Sequence, residues 1–362
     1  MNPALHEILA DYVGQGGDTV TIATDPVTAE AIRHIVNVTG DLNPLYRDPA
    51  CAAVAFHGGL VAPPSSVLWW HRGHFEPIES SEVPDLDGVR RYRLDPNPVR
   101  QEGLAQTENG VLADVIRLLA THGHDSIVVT NAEATVDRYP RVGDQLSCVG
   151  PVIESIVGPK TTALGEGYFS TSVYRLLDRA GAQVARWRTT RLHFAPGVRP
   201  ASAASAPAQP VKFALRAPCA KPVPFGGAES AGLPEQLAPW DVEVTPTLVI
   251  AGALATRDAQ DVHHDGELAR QRGFKDIFLN NFTTMALVTR YVTDWAGPGA
   301  VIRGFSFKLG RPQYPDDLLR FTGAVTKREL VADGLTRLEV EVLGDNALGS
   351  HVRCALRLER HA

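Results

Sequence analysis

The sequence predicts an α+β protein of two similar lobes, each a helix laid against a curved antiparallel sheet. Three observations predict it. A segment rich in Ala, Pro, Ser and Gly, from Pro196 to about Pro234, interrupts a chain of 362 residues. The two flanks repeat one order of features: a short motif built on an aspartate, a helix-like apolar stretch, then long β-rich runs separated by turns. A helix followed by a meander of strands is the pattern of an α+β lobe, in which the helix covers one face of the sheet.

The length exceeds one core of ~100–200 residues, which agrees with two units. The division reads as a first lobe at 1–195, a linker at 196–237 and a second lobe at 238–362. No apolar period survives in the linker, and such a composition runs extended over a surface. In the first lobe the motif is Gly40-Asp41-Leu42-Asn43-Pro44-Leu45-Tyr46, and the helix candidate is Pro64–Gly73. Strands are expected at Ile127–Val136, Gln145–Val157, Thr161–Leu177 and Ala182–Phe194, with turns at Gly143-Asp144 and Asp178–Gly181. In the second lobe the motif is Arg257-Asp258-Ala259-Gln260-Asp261-Val262-His263, and the helix candidate is Phe282–Thr293. Strands follow at Val301–Leu309, Leu318–Leu330, Leu335–Leu343 and Ser350–Leu358.

Composition excludes several classes. At 44% hydrophobic and 21% charged the chain is ordinary globular protein, and a net charge of −6 gives no footing for nucleic acid. The first ten residues lack the basic and apolar regions of a signal peptide. No run of ~18 uncharged apolar residues offers a membrane span. Cys51, Cys148, Cys219 and Cys354 are far apart and form no C-x-x-C pair, so they read as reduced thiols of a cytoplasmic protein rather than a zinc site. No P-loop or dinucleotide fingerprint is present.

The chemistry is sought at Asp258 and His263, five residues apart in a polar segment. A turn there aims both side chains into one pocket, where a carboxylate and an imidazole hold one water between them. Histidine suits general acid–base work because it titrates near neutrality. His264 is adjacent, and neighbours point apart, so one of the two histidines faces the pocket.

Gly40–Tyr46, continued by Asp48-Pro49-Ala50 and by Gly58–Pro64, resembles the hydratase-2 signature of MaoC-like proteins; Arg257–His263 resembles a looser copy of it. The resemblance implies a double hotdog fold, with Asp258 and His263 on the signature's catalytic Asp and His. It also implies an oxyanion donor, a backbone N–H at the start of the central helix 23 residues after the Asp. Counting from Asp258 reaches Asn281; counting from Asp41 reaches Pro64, which has no N–H. Tyr46 stands at the His position of the first motif and is a poor base near neutral pH. The first lobe therefore reads as catalytically degenerate and the second as catalytic. The second motif departs from the signature at Arg257, where the family has Gly, and at Gln260-Asp261, where it has Asn-Pro.

The two lobes resemble the two subunits of bacterial steroid side-chain enoyl-CoA hydratases, as a fusion. The resemblance implies addition of water to a trans-2-enoyl-CoA with a bulky acyl group, giving an (R)-type 3-hydroxyacyl-CoA, with no cofactor or metal beyond the coenzyme A of the substrate. It leaves open a dehydratase acting on a polyketide-like thioester, and a non-catalytic acyl-CoA-binding scaffold for an aldolase or thiolase. A homodimer is expected, because hotdog lobes close their sheets by pairing. Trp69, Trp70 and Phe75 read as core, with pocket lining as the alternative. Lys275, Lys308, Arg311, Lys327 and Arg328 are candidates for the coenzyme A phosphates, each otherwise a solvated surface charge.

Overall fold

The structure is a computed structural model that describes residues 5–72, 81–83, 91–93, 110–162, 164–195, 235–331 and 334–361. The first lobe contributes α1 (Leu5–Ala10), β1 (Val20–Ile22), α2 (Ala29–Val38), α3 (Ala52–His57), β2 (Ser81–Val83), β3 (Arg91–Arg93), α4 (Gly110–Thr121), β4 (Ser126–Val136), β5 (Ser147–Thr162), β6 (Gly165–Leu177) and β7 (Gln183–Phe194). The second contributes β8 (Gln236–Val244), α5 (Pro246–Ala255), α6 (Gly266–Gln271), α7 (Asn281–Ala296), β9 (Ala300–Leu309), β10 (Asp317–Leu330), β11 (Leu335–Asn346) and β12 (Gly349–His361).

Ten of these strands form one antiparallel sheet in the order β1-β5-β6-β7-β4-β9-β12-β11-β10-β8. Five come from each lobe, and the lobes join where β4 pairs with β9, from Asn131 opposite Lys308 to Thr135 opposite Gly304. The fold is the expected double hotdog. The alternation that marks the strands in sequence is the alternation of burial: along β12, His351 and Val352, Cys354, Leu356 and Leu358 are buried, whereas Arg353, Ala355 and Arg357 are exposed.

In the second lobe α7 fills the hollow of the sheet. Met285, Val288 and Val292 are fully buried, in one core with Leu338, Val340, Cys354 and Leu356. Asn280 caps the helix by accepting a hydrogen bond from Thr283 N at 2.9 Å, and Gly297, at φ 82°, ends it.

The first lobe departs from expectation. Where Pro64–Gly73 reads as a helix, the chain makes a 3-10 turn over Pro64–Leu68, and Trp69 leaves it. Pro63-Pro64 starts the turn, but Ser65 and Ser66 are weak at propagating a helix. The Ser66 carbonyl accepts from both Trp69 N and Trp70 N, each at 3.1 Å. The longest helix among the described residues of this lobe is α4, which the apolar stretches singled out in sequence did not include. The helices α2, α5 and α6 and the short strand β1 also lay outside those stretches. The segment read as linker ends early: Gln236 and Leu237 belong to β8, and 196–234 lie outside the described residues. Trp69 and Trp70 are core residues, 1% and 2% exposed, with Trp69 against Phe282; Phe75 lies outside the described residues. Among the described residues no helix is long and apolar enough to cross a membrane.

Candidate active site

The second motif begins where α5 stops. Thr256 Oγ1 donates to the Gly252 carbonyl at 2.7 Å, and Asp258 N closes back onto the Ala253 carbonyl at 2.9 Å. Between them Arg257 takes φ 56°, in the left-handed region that Gly40 occupies at φ 65° in the first motif. The bend that the first motif makes with glycine is thus made here by arginine, at a cost of about 1–2 kcal/mol. Offsetting interactions are visible. Arg257 Nη1 donates to the carbonyls of Trp70 and Arg72 at 3.0 and 2.9 Å, and its guanidinium lies 5.5 Å from the centre of a Trp70 ring. The bend therefore fastens the second motif to the first lobe.

A 3-10 turn at Asp261–His263 swings His263 toward Asp258. Asp261 is held by Arg272, whose Nη2 lies 2.6 Å from its Oδ2. His263 Nδ1 is 2.8 Å from the Phe278 carbonyl. A carbonyl only accepts, so Nδ1 carries the proton and Nε2 of the neutral ring is the basic nitrogen. That Nε2 lies 3.5 Å from Asp258 Oδ2, and both residues are buried, at 6% and 5% exposure. Asp258 Oδ2 also accepts from Asn280 Nδ2 at 3.0 Å, and the same amide reaches Thr256 Oγ1 at 2.8 Å. Asn280 thus orients the carboxylate and caps α7 at once. Asn281 is the first residue of α7, where backbone N–H groups have no partner within the helix and the dipole is positive.

Asp258, Gln260, His263 and Asn281 all lie on the wall of one cavity of about 950 Å³. His264 is not on that wall; burial and the neighbouring His263 lower its pKa below the ordinary value. The cavity crosses the lobe boundary. In the first lobe it is lined by Leu68, His71, Arg72, Ile116, Phe169, Tyr174, Trp187, Thr189 and Arg191, among others. Of the five cations considered for phosphates, Lys308 and Arg311 line it. Lys275 lies over the Tyr314 ring at 5.8 Å, and Lys327 and Arg328 are exposed on β10 away from it. The sequence reading gave no role to Asn280, which holds Asp258, or to Thr256, whose hydroxyl accepts from the same amide. The signal for Asn280 was its place three residues before Thr283, the spacing of an N-cap.

The first motif is built differently. Asp41 and Tyr46 are buried at 3% and 2% exposure, and neither is on the cavity wall. Asp41 Oδ1 accepts from Asn43 N at 2.9 Å, and Asn43 Oδ1 from Leu45 N at 3.1 Å, so the residues brace a turn. Burial pushes the Tyr46 hydroxyl well above its usual range and raises Asp41 from 3.8 to about 6. A carboxyl raised on folding favours the native state below its unfolded value, and that contribution is lost as pH rises through about 6. Asp41→Asn is therefore expected to stabilise the protein at pH 8 by up to about 3 kcal/mol and to flatten its stability between pH 4 and 6. Denaturant melts across that range test this. A variant less stable than wild type at pH 8 would show that the ionised carboxylate is the better turn brace.

Residues 234–344 match the MaoC like domain, and residues 15–101 match the FAS1-like dehydratase domain region. Over 113 residues the chain is 50% identical to the beta subunit of a 3-oxo-4,17-pregnadiene-20-carboxyl-CoA hydratase of Mycobacterium tuberculosis. The match covers 31% of this chain and 84% of that subunit. The chain belongs to the MaoC-like hydratase family. It is also 33% identical over 200 residues to the alpha subunit of the same hydratase, covering 55% of this chain and 54% of that subunit. It is 34% identical over 172 residues to a probable enoyl-CoA hydratase alpha subunit of Thermomonospora curvata, covering 48% of this chain and 46% of that one. The chain thus spans about half the length of the alpha subunits it matches. Beta-like and alpha-like sequence in one chain is consistent with a fusion of the two subunits. Among solved structures, a MaoC-like dehydratase superposes with a TM-score of 0.65 at 17% identity, over 98% of this chain and 100% of that one. A conserved hypothetical protein of Mycobacterium tuberculosis with a double hotdog fold superposes at 0.55 and 15% identity, over 96% and 97%. These two likenesses concern the fold.

Proposed function

We propose that this chain adds water to a trans-2-enoyl-CoA carrying a bulky acyl group, with steroid side-chain thioesters of the kind its relatives are named for among its substrates. The observation that carries the reading is one wall holding three groups: a carboxylate at Asp258, a basic imidazole nitrogen at His263 and a helix N-terminus at Asn281. The 3.5 Å between Asp258 and His263 is longer than a good hydrogen bond, and a water lying beside it meets acceptors on both. The water oxygen attacks Cβ of the enoyl group while His263 Nε2 takes a water proton. Electrons move to the thioester oxygen, where the Asn281 N–H and the end of α7 stabilise the enolate. A proton then reaches Cα from the Asp258–His263 pair, and the product is a 3-hydroxyacyl-CoA. The reverse elimination uses the same groups.

The reading needs no metal, nucleotide or flavin. Lys308 and Arg311, on the second-lobe part of the wall, suit the coenzyme A phosphates. The β4–β9 pairing already joins two lobes within one chain, so the homodimer we propose uses another surface. We place the enzyme in the cytoplasm. An aldolase is a fitting partner, because the β-hydroxy thioester product is what a retro-aldol cleavage consumes.

The test is hydration of a panel running from crotonyl-CoA to a steroid enoyl-CoA, followed by loss of the conjugated thioester absorbance. Turnover of the bulky members is the expected result. Binding of acyl-CoA with no turnover of any member would overturn the hydratase reading in favour of an acyl-CoA-binding scaffold.

A further inference from the structure

The two lobes differ at one place where their frames coincide. β7 and β12 hold matching positions in the two halves of the sheet. Ala185 of β7 pairs with Val136 at the end of β4, and Val352 of β12 with Leu309 at the end of β9. One residue earlier, the Val184 carbonyl accepts from Asp137 N at 3.0 Å, and the His351 carbonyl from Gly310 N at 2.8 Å. His351 is therefore the counterpart of Val184. Counting 26 residues from each motif aspartate pairs Thr284 of α7 with Val67 of the 3-10 turn. Val67 and Val184 are fully buried in one core. The first lobe fills these positions with two valines, the second with a threonine and a histidine.

The polar pair is hydrogen-bonded, and His351 faces the cavity. It is 4% exposed and lies on the cavity wall with Arg311 and Asn281. Its Nδ1 is 2.7 Å from the Arg311 carbonyl, so Nδ1 carries the proton. Burial lowers the imidazole to about 4, so the ring is neutral near neutral pH and Nε2 is an acceptor. The Thr284 hydroxyl lies 3.0 Å from that Nε2 and 3.1 Å from the Asn280 carbonyl, and its proton is shared between them. Asn280 Nδ2 in turn donates to Asp258. A bonded run thus joins the Arg311 backbone to the first turn of α7, which carries the Asn281 N–H. Burying polar groups costs stability where aliphatic ones fit, and the first lobe shows that aliphatic ones fit.

We infer that His351 is a positioning residue: through Thr284 it fixes the first turn of α7, and with it the Asn281 N–H, against the Arg311 end of the cavity. It acts through that donor rather than on a reacting atom. The inference rests on the proposed hydratase reading for the role of Asn281. An oxyanion donor works over a narrow range of distance, so a small slide of α7 costs rate and leaves binding nearly intact.

The test replaces each member by the residue of the first lobe, in His351→Val and Thr284→Val. Each is expected to lower kcat for crotonyl-CoA by about 10-fold and to leave KM within about twofold. In an Asn281→Pro background the same substitutions are expected to cost less than about twofold, because the donor they aim is gone. A penalty undiminished in that background marks a merely structural role and overturns the inference. So does a kcat within about twofold of wild type in the folded variants. Thr284→Val cuts the link from the helix side should His351→Val not fold. A second readout needs no turnover: the red shift in absorbance of a bound dimethylaminocinnamoyl-CoA reports polarisation of its thioester carbonyl. The shift is expected in wild type and is expected to shrink in both variants. If wild type hydrates no thioester, the hydratase reading fails by itself and the shift decides the inference. Shrinkage in the variants then supports it; a shift that the variants leave unchanged, or none in wild type, overturns it.

Discussion

Asp258→Asn and His263→Ala are each expected to lower kcat/KM for enoyl-CoA hydration by about 10³-fold, the scale of a lost general acid or base. The two act by different routes. Asp258→Asn turns an acceptor into an amide, whose NH₂ meets Asn280 Nδ2 as donor against donor; rotated, it presents the NH₂ where the turn N–H of Gln260 now points. His263→Ala removes the basic Nε2 and leaves the Phe278 carbonyl without the donor it has at 2.8 Å. Because both groups hold one water, the double variant is expected to lose little more than either single one. Steady-state rates on crotonyl-CoA and on a bulky enoyl-CoA, with melting curves as the folding control, measure this. Retention of activity within tenfold by a folded His263→Ala would remove His263 as the base. The contrast with Asp41→Asn adds a lobe-specific control: the equivalent carboxyl in the first motif is off the cavity wall.

Asn281→Pro is expected to lower kcat by about 10²–10³-fold while leaving the fold intact, the loss that follows removal of one oxyanion donor. Proline is well tolerated at the first position of a helix, where its missing N–H has no intrahelical partner. The preceding residue also suits it. Asn280 has φ −75° and ψ 160°, the extended conformation that a residue before proline adopts. The substitution thus installs in the second lobe what Pro64 already is in the first, a helical start without a donor. A loss confined to KM would assign the Asn281 N–H to binding of the ground-state thioester instead. Unchanged kinetics would remove it from the reaction.

Eight strands were legible because one face of each is buried and side chains alternate: β4 to β7 and β9 to β12 begin within a few residues of their apolar–polar runs, whereas β8, at the sheet edge, was not singled out. α7 was legible for the same local reason, an apolar face at helical spacing started by Asn280 and stopped by Gly297. α5 was not, because Leu248, Val249, Ile250, Ala251 and Ala253 are apolar nearly all round and show no polar face to read. The first-lobe helix misled, since Trp69 and Trp70 supply the apolar content of a helix while packing as core off a 3-10 turn.

At the site, sequence by itself determined the chemical types and their separation along the chain: an Asp and a His five residues apart, an Asn with an N–H 23 residues on, and a proline at the matching place in the first lobe. Tertiary structure alone supplied what orients His263, because the Phe278 carbonyl that holds its Nδ1 comes from 15 residues away. It supplied what holds the arginine at 257 in a left-handed bend, since the carbonyls it binds belong to the other lobe. It also decided the shape of the cavity and the place of His351 on its wall. Spacing along the chain is a covalent property that a sequence carries outright. A wall assembled from β6, β7, α7 and two turns exists only once long-range packing has brought them together.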